Sequence, residues 1–393
     1  MAFNIPDVDI DIYSPEALAD PYDNYRIFRD TAPIVRLPKY DLYLMARFAD
    51  VQAALKNNAL FSSSSGVAMN DLMNQAIAGS TLHTDAPYHS ELRSIVSRPL
   101  TPARLGELRQ GFNDLADSLV ERLLAKGDFD AATELSQYLP VTVVSELVGL
   151  PEEGRERMLT WAGAVFNSLG PRGLELTEIA LPIVEEMVTY ARGCTADRVK
   201  PGSWVAKLYE AVDAGELRPE QVGPVMGDYL GPSLDTTILA TGSTIALFAE
   251  HPDQWDKLRE NPQLIPNAVN EAIRLESPIQ AFSRVLTDEF TVEDQRLHKG
   301  ARVLVAYASG NRDERRWEDP ERFDITRRAS EQLGFGHGIH TCMGANLARM
   351  EISALLGALV KRVERFEVHD SERISNNVLR GFKSLKITAH ATK

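Results

Sequence analysis

Residues 335–349 read FGHGIHTCMGANLAR, and near their centre lies Cys342, one of only two cysteines in a chain of 393 residues. Glycines at 336, 338 and 344 surround that sulfur, and the chain then enters ANLARMEISALL, whose apolar residues recur at helical spacing. Glycine lets a backbone curl tightly around a side chain without Cβ clashes. The N-terminus of the following helix would aim its dipole at Cys342 and favour negative charge there. Three readings of such a cysteine stay open. It is a small buried apolar residue, a nucleophile with His337 or His340 as base, or a thiolate that binds a metal. A cysteine-rich zinc site or a cysteine-ligated cluster is excluded, because the only other cysteine is the distant Cys194, which reads as an ordinary helix residue. One thiolate on one metal is best known as an axial ligand of haem iron.

Composition narrows the class. The formal charge of −14 argues against a nucleic-acid binder, which needs a basic face to displace counterions. Two cysteines cannot form a disulfide framework, so a reducing, cytoplasmic home is expected. The opening MAFNIPDVDIDIYSPEALADPYD has neither a basic region nor an apolar run, and so does not read as a signal peptide. No stretch approaches the ~20 apolar residues that a membrane span requires.

Along the chain, PIVRLPKYDLYLMARF (33–48) alternates around 38–41 and reads as a hairpin. From residue 49 helical periodicity dominates, as in RLGELRQGFNDLADSLVERLLAKG (104–127), ELSQYLPVTVVSELVGL (134–150), LPIVEEMVTYARGC (181–194) and ARMEISALLGALVKRVERF (348–366). Strand-like runs return at EFTVEDQRL, ARVLVAYAS and SLKITAH. The expected fold is mainly α with a minor β region, an α+β class. It comprises one domain over 1–393, β-rich at about 33–48, 286–308 and 365–393 and helix-rich at about 49–280 and 345–364. Strands and helices are segregated rather than alternating, which disfavours a doubly wound sheet. The run 219–252 is apolar nearly all round in its second half, yet holds Gly223, Pro224, Gly227, Gly231 and Pro232. Either its helix starts near Pro232, or one long helix is broken in the middle.

The fifteen residues quoted at the outset resemble the cysteine-ligand signature of the cytochrome P450 family. Phe335, Gly336, Gly338, Cys342, Gly344 and Ala348 fill its usual positions. The resemblance implies the P450 fold, a triangular prism with haem b between a long distal helix and the helix after the cysteine loop. It implies that Cys342 ligates the iron, that Phe335 packs beside the sulfur and that His340 reaches a propionate. Other marks follow in order. E271-A-I-R274 is similar to the family's glutamate–arginine pair, with Arg322 of D319-P-E-R322-F as third member and Arg327 as the alternative. H89-S-E-L-R93 and Arg284 resemble its propionate-binding groups. Asp235–Thr236 is similar to its acid–alcohol pair, which relays protons during oxygen activation. The family usually has two small residues ahead of the acid where this chain has Pro232–Ser233. Because Pro232 has no N–H, a kink is expected there.

Phrases such as FSSSSGV, WAGAVFNSLGP, ESPIQAF and NNVLRGFKSL look similar to bacterial P450s that O-demethylate para-methoxybenzoates. That group anchors a carboxylate through cations, whereas 67–83 holds no Lys or Arg here and the long helix carries Gly227–Asp228. A neutral methoxyaromatic of the guaiacol or alkylguaiacol kind is therefore expected. Its apolar walls would come from Val67, Met69, Phe166, Leu169, Leu230, Ile279, Phe282 and Phe382. A terpene, a fatty acid or a benzoate-type acid is the alternative substrate; a peroxide-driven peroxygenase or a haem-thiolate sensor is the alternative class. Without a flavin or nucleotide fingerprint of its own, the resemblance implies electrons from NAD(P)H through an external reductase and ferredoxin, docking near Arg98, Arg104 and Arg349.

Overall fold

The structure is a computed structural model that describes residues 4–392. Its strands are β1 (Ile34–Leu37), β2 (Leu42–Met45), β3 (Phe61–Ser62), β4 (Asp128–Asp130), β5 (Phe282–Leu286), β6 (Phe290–Val292), β7 (Gln295–Leu297), β8 (Arg302–Val305), β9 (Val363–Arg373) and β10 (Phe382–Ala391). Five of them form a sheet in the order β1-β2-β8-β5-β3, three pair as β4-β10-β9, and β6-β7 stand as a hairpin. The rest is mostly helix, so the mainly α class with segregated strands holds.

The first hairpin forms where alternation predicts it. β1 and β2 pair antiparallel from Ile34↔Met45 to Leu37↔Leu42, and the turn closes through Asp41 in the left-handed region at φ 45°. β5 lies antiparallel to β8 with Arg284 opposite Val303, which fixes that arginine on a rigid strand. The 104–127 periodicity becomes the helix Pro102–Lys126, against which the proximal helix Ala345–Val360 packs. That helix also packs on Ile265–Glu276.

Three stretches depart from periodicity. The helix-rich part was expected to about 364, but the helix stops at Val360, and VERFEV enters β9 because its alternating residues pair with β10. Residues 134–150 form wide helical turns at Ala131–Ser136 and Pro140–Val144 before a short helix Ser145–Val148, since Pro140 cannot donate to a regular ladder. The run 219–252 is two helices, Val222–Leu230 and Asp235–Glu250. Between them none of the N–H groups of 233–237 bonds the carbonyl four residues back. Two hydroxyls stand in: Ser233 Oγ donates to the Tyr229 carbonyl, and Thr236 Oγ1 to the Pro232 carbonyl at 3.1 Å. The break falls where Pro232 predicts it.

Candidate active site

The cysteine loop is held by backbone geometry. Gly336 and Gly338 sit at φ 66° and 72°, and a Cβ on Gly338 would lie 2.4 Å from the Leu55 carbonyl oxygen. No other residue fits there. The Cys342 N–H donates to the Phe335 carbonyl at 2.7 Å, which turns the loop back on itself. The accessible face of Cys342 opens onto an internal cavity of about 250 Å3. Burial pushes its thiol up, while the Gly344 N–H, Arg93, Arg349 and the Ala345 N–H pull it down. Arg349 stacks on Phe335, 4.4 Å from the ring centroid, and bonds Asn270 at 3.1 Å. Gly344 lines the cavity floor, where a Cβ would meet no protein atom within 4 Å.

At one rim the predicted anion-binding residues converge. Arg93, Arg284 and His340 line the cavity, and the His89 ring lies 4.4 Å from that of His340. Both nitrogens of His89 and Nε2 of His340 are buried without a hydrogen-bond partner. Burial, then His340 and Arg93, hold His89 down at about 4. Unpartnered ring nitrogens beside two guanidinium groups fit an anionic ligand. The serine run acquires a purpose here. Asp85 accepts from the Ser63 and Ser64 N–H groups at 3.1 and 3.2 Å and from the Ser62 and Ser64 hydroxyls at 2.5 and 2.7 Å. It holds a carboxylate oxygen 3.8 Å from His340 Nε2.

Beneath the loop, Glu271 and Arg274 are fully buried and pair twice, at 2.7 and 2.9 Å. Arg274 also donates to the carbonyls of Asn311 and Pro320. The third member is Arg327, whose Nε meets Glu271 Oε1 at 3.0 Å. This corrects the assignment of Arg322. Phe323 occupies the inward position of that turn, so the Arg322 side chain faces solvent and only its carbonyl reaches Arg274, at 3.3 Å.

Thr236 lines the cavity roof beside Pro232 and Ser233. Asp235 turns the other way, against helix Glu152–Ser168, where a Cβ on Gly163 would come within 3.2 Å of its Oδ2. With no cation nearby, burial pushes Asp235 up to about 7. Of the expected wall residues, Phe166, Ile279 and Phe282 line this cavity. Val67, Met69 and Leu169 line a smaller one of about 50 Å3, which shares Phe282 with it. Leu230 and Phe382 line neither. Leu230 is packed in the core, and Phe382 lies under the Arg373 guanidinium at 3.9 Å. Arg192, in the last turn of helix Glu175–Gly193, lines the cavity but did not stand out in the sequence. A cation there reads as an ordinary helix-end charge. The three arginines expected to receive a redox partner are all engaged: Arg98 with Glu216 at 2.5 Å, Arg104 with Glu107 at 3.3 Å and Arg349 as above.

The Cytochrome P450 family model matches residues 205–388. Cytochrome p450 CYP199A2 of Rhodopseudomonas palustris is 37% identical over 98% of this chain and 94% of its own length. The chain belongs to the cytochrome P450 family. Linalool 8-monooxygenase of Pseudomonas putida is 29% identical over 96% of the chain and 97% of its own. Among solved structures, a P450 EryK mutant in complex with erythromycin B superposes with a TM-score of 0.84 at 30% identity, covering 95% of this chain and 97% of that one. CYP108D1 from Novosphingobium aromaticivorans gives the same TM-score at 26% identity, covering 97% of each chain. This P450 is thus an oxidoreductase of the monooxygenase family, whose cofactor is haem b. The residues present fit that group: a thiol facing the cavity, an open glycine floor, and a rim of two arginines and two histidines with unpartnered ring nitrogens. Among the described residues, no helix is long and apolar enough to cross a membrane.

Proposed function

We propose that this P450 O-demethylates a small neutral methoxyaromatic, of the guaiacol or alkylguaiacol type, with electrons from NAD(P)H delivered by a reductase and a ferredoxin. Cys342 would ligate the iron, Phe335 and Gly344 would flank the macrocycle, and His89, Arg93, Arg284 and His340 would hold its propionates. Bound haem supplies dioxygen activation and insertion of one oxygen atom into the methyl group, whose product loses formaldehyde. The chain's own part is positioning and proton supply. Thr236 donates its hydroxyl hydrogen to the Pro232 carbonyl, so its oxygen lone pairs are free to hold a water in the cavity. Asp235, pushed up to about 7, is poised near neutral pH to gain and release protons behind that hydroxyl.

The observation that carries the substrate reading is the cavity wall. Leu82, Val165, Phe166, Ile279 and Phe282 present apolar surface, and the acidic side chain among them is Asp228. A second reading has its own observation. Arg192 lines the same cavity and makes no ion pair among the described residues, so an aromatic acid has one cation to meet. The ferredoxin would dock on the cysteine-loop face. Because Arg98 and Arg104 are already paired, their removal should change docking less than that of an unpaired cation.

The carbon-monoxide difference spectrum of the reduced protein tests the assignment. A thiolate-type band that disappears in Cys342→Ala is expected, and its survival in that variant would refute the ligand. Spin-state titration then separates the substrates, with methoxyphenols expected to bind more tightly than 4-methoxybenzoate.

A further inference from the structure

One polar group in the cavity has no part in the chemistry above. Asp228 lies in helix Val222–Leu230 and lines the cavity. Its Oδ2 accepts the Thr81 backbone N–H at 3.0 Å, and the Thr81 hydroxyl and Leu82 N–H also face the carboxyl, which ties the loop after Ala76 to the roof and leaves about one of its four lone-pair sites open. Among the described residues it forms no ion pair, and Arg93 acts on it only at longer range. A carboxyl group whose oxygens are only partly satisfied keeps lone pairs for a further donor. In an apolar wall, a ligand hydroxyl that supplies such a donor is favoured, and a second anion is not.

We propose that Asp228 selects the polar end of the substrate, accepting a hydrogen bond from a phenolic hydroxyl and excluding carboxylates. The proposal rests on the methoxyaromatic reading and names the residue that decides which methoxyaromatics enter. Discrimination of this kind is asymmetric. A site built to bond a hydroxyl rejects the analogue that lacks it, because the buried acceptor is then left unpaired. The bond to Thr81 fixes the carboxyl before the substrate arrives, so little ordering remains to be done on binding.

The test uses the haem-loaded protein and three probes: 2-methoxyphenol, 1,2-dimethoxybenzene and 4-methoxybenzoate, each titrated by spin-state shift and by calorimetry. Wild type should bind the phenol about tenfold more tightly than the diether, the size of one hydrogen bond to a charged group. Asp228→Asn keeps an oxygen for Thr81 while removing the charge. It should shrink that preference to about threefold and tighten 4-methoxybenzoate about tenfold. Asp228→Ser serves if the asparagine variant does not load haem. Equal binding of phenol and diether by wild type, or ratios unchanged in both variants, would overturn the role of Asp228 alone. So would a phenol preference that is lost in Arg192→Gln and kept in Asp228→Asn. If none of the probes moves the wild-type spectrum, the methoxyaromatic reading falls and takes this proposal with it.

Discussion

The two sides of the cavity are built on opposite rules. Beneath the cysteine loop, the buried charges of Glu271 and Arg274 are matched to partners and the loop's glycines leave the backbone one conformation. Gly338 is clasped by the Leu55 carbonyl, Glu271 is shared between Arg274 and Arg327, and Arg274 spends its remaining donors on carbonyls. On the roof, matching is deliberately incomplete. The helix is interrupted, hydroxyls replace backbone donors, and Asp228 and Asp235 are carboxyls with no cation in contact. A rigid floor can hold a cofactor in one orientation. A roof with spare hydrogen-bonding capacity can bind water, move protons and tell substrates apart.

The contrast breaks most visibly at Glu271. Replacing it with alanine leaves the buried Arg274 guanidinium and the half-buried Arg327 without their anion, at a cost of about 3–5 kcal/mol. Glu271→Ala should therefore yield little folded, haem-loaded protein, read by thermal melting and by the carbon-monoxide band. Arg327→Ala should lower Tm clearly, whereas Arg322→Ala, at an exposed side chain, should stay within about 0.5 kcal/mol of wild type. Equal losses from the two arginines would return Arg322 to the network.

How much of this was legible follows the same division. The floor is written in short-range constraints, glycines at positive φ, a glutamate and arginine three apart, a histidine and arginine four apart, and all of these can be read one motif at a time. Arg322 failed because two arginines five residues apart compete for Glu271, and only the inward turn of Phe323 decides between them. The roof depends on which loop meets which helix. Leu230 reads as well as Ile279 for a wall residue, yet faces the core, because at the C-terminal end of Val222–Leu230 only the packing of neighbouring elements decides which apolar residue meets the cavity. Arg192 reaches the cavity only because Gly223 lets the two helices approach, with a Cβ there meeting Arg192 Cα at 3.2 Å.

A smaller effect is expected at Asp235. Asp235→Asn removes the relay acid and should slow product formation about a hundredfold while substrate binding is retained. It carries a signature that a merely structural role would not. The folded carboxyl near 7 lies above its unfolded value of 3.8, so between those values the folded chain keeps a proton that the unfolded chain has lost. Stability therefore falls as pH rises across that window. The asparagine variant should gain in Tm over wild type at pH 8 and gain less at pH 5. A pH-independent difference would mean that Asp235 is solvated and no relay.

The smallest effect is the most informative about the roof. Pro232→Ala restores an N–H that the Asp228 carbonyl could accept and removes the costliest residue in a helix interior, worth about 3 kcal/mol. If proline alone held the helices apart, the ladder would close, amides 233–237 would exchange slowly, and Tm would rise. Two other bonds hold the break, however: Ser233 Oγ occupies the Tyr229 carbonyl, and Thr236 Oγ1 occupies the Pro232 carbonyl. We therefore expect only partial closure, with oxygen-to-product coupling reduced about threefold and exchange slowed modestly. Pairing the change with Ser233→Ala should close it further, since that frees the Tyr229 carbonyl while Thr236 Oγ1 still occupies the carbonyl of residue 232. If hydrogen exchange across 233–237 is unmoved even then, the break is set by the packing of Gly231 against Val165 instead, where a Cβ would come within 3.3 Å of that side chain.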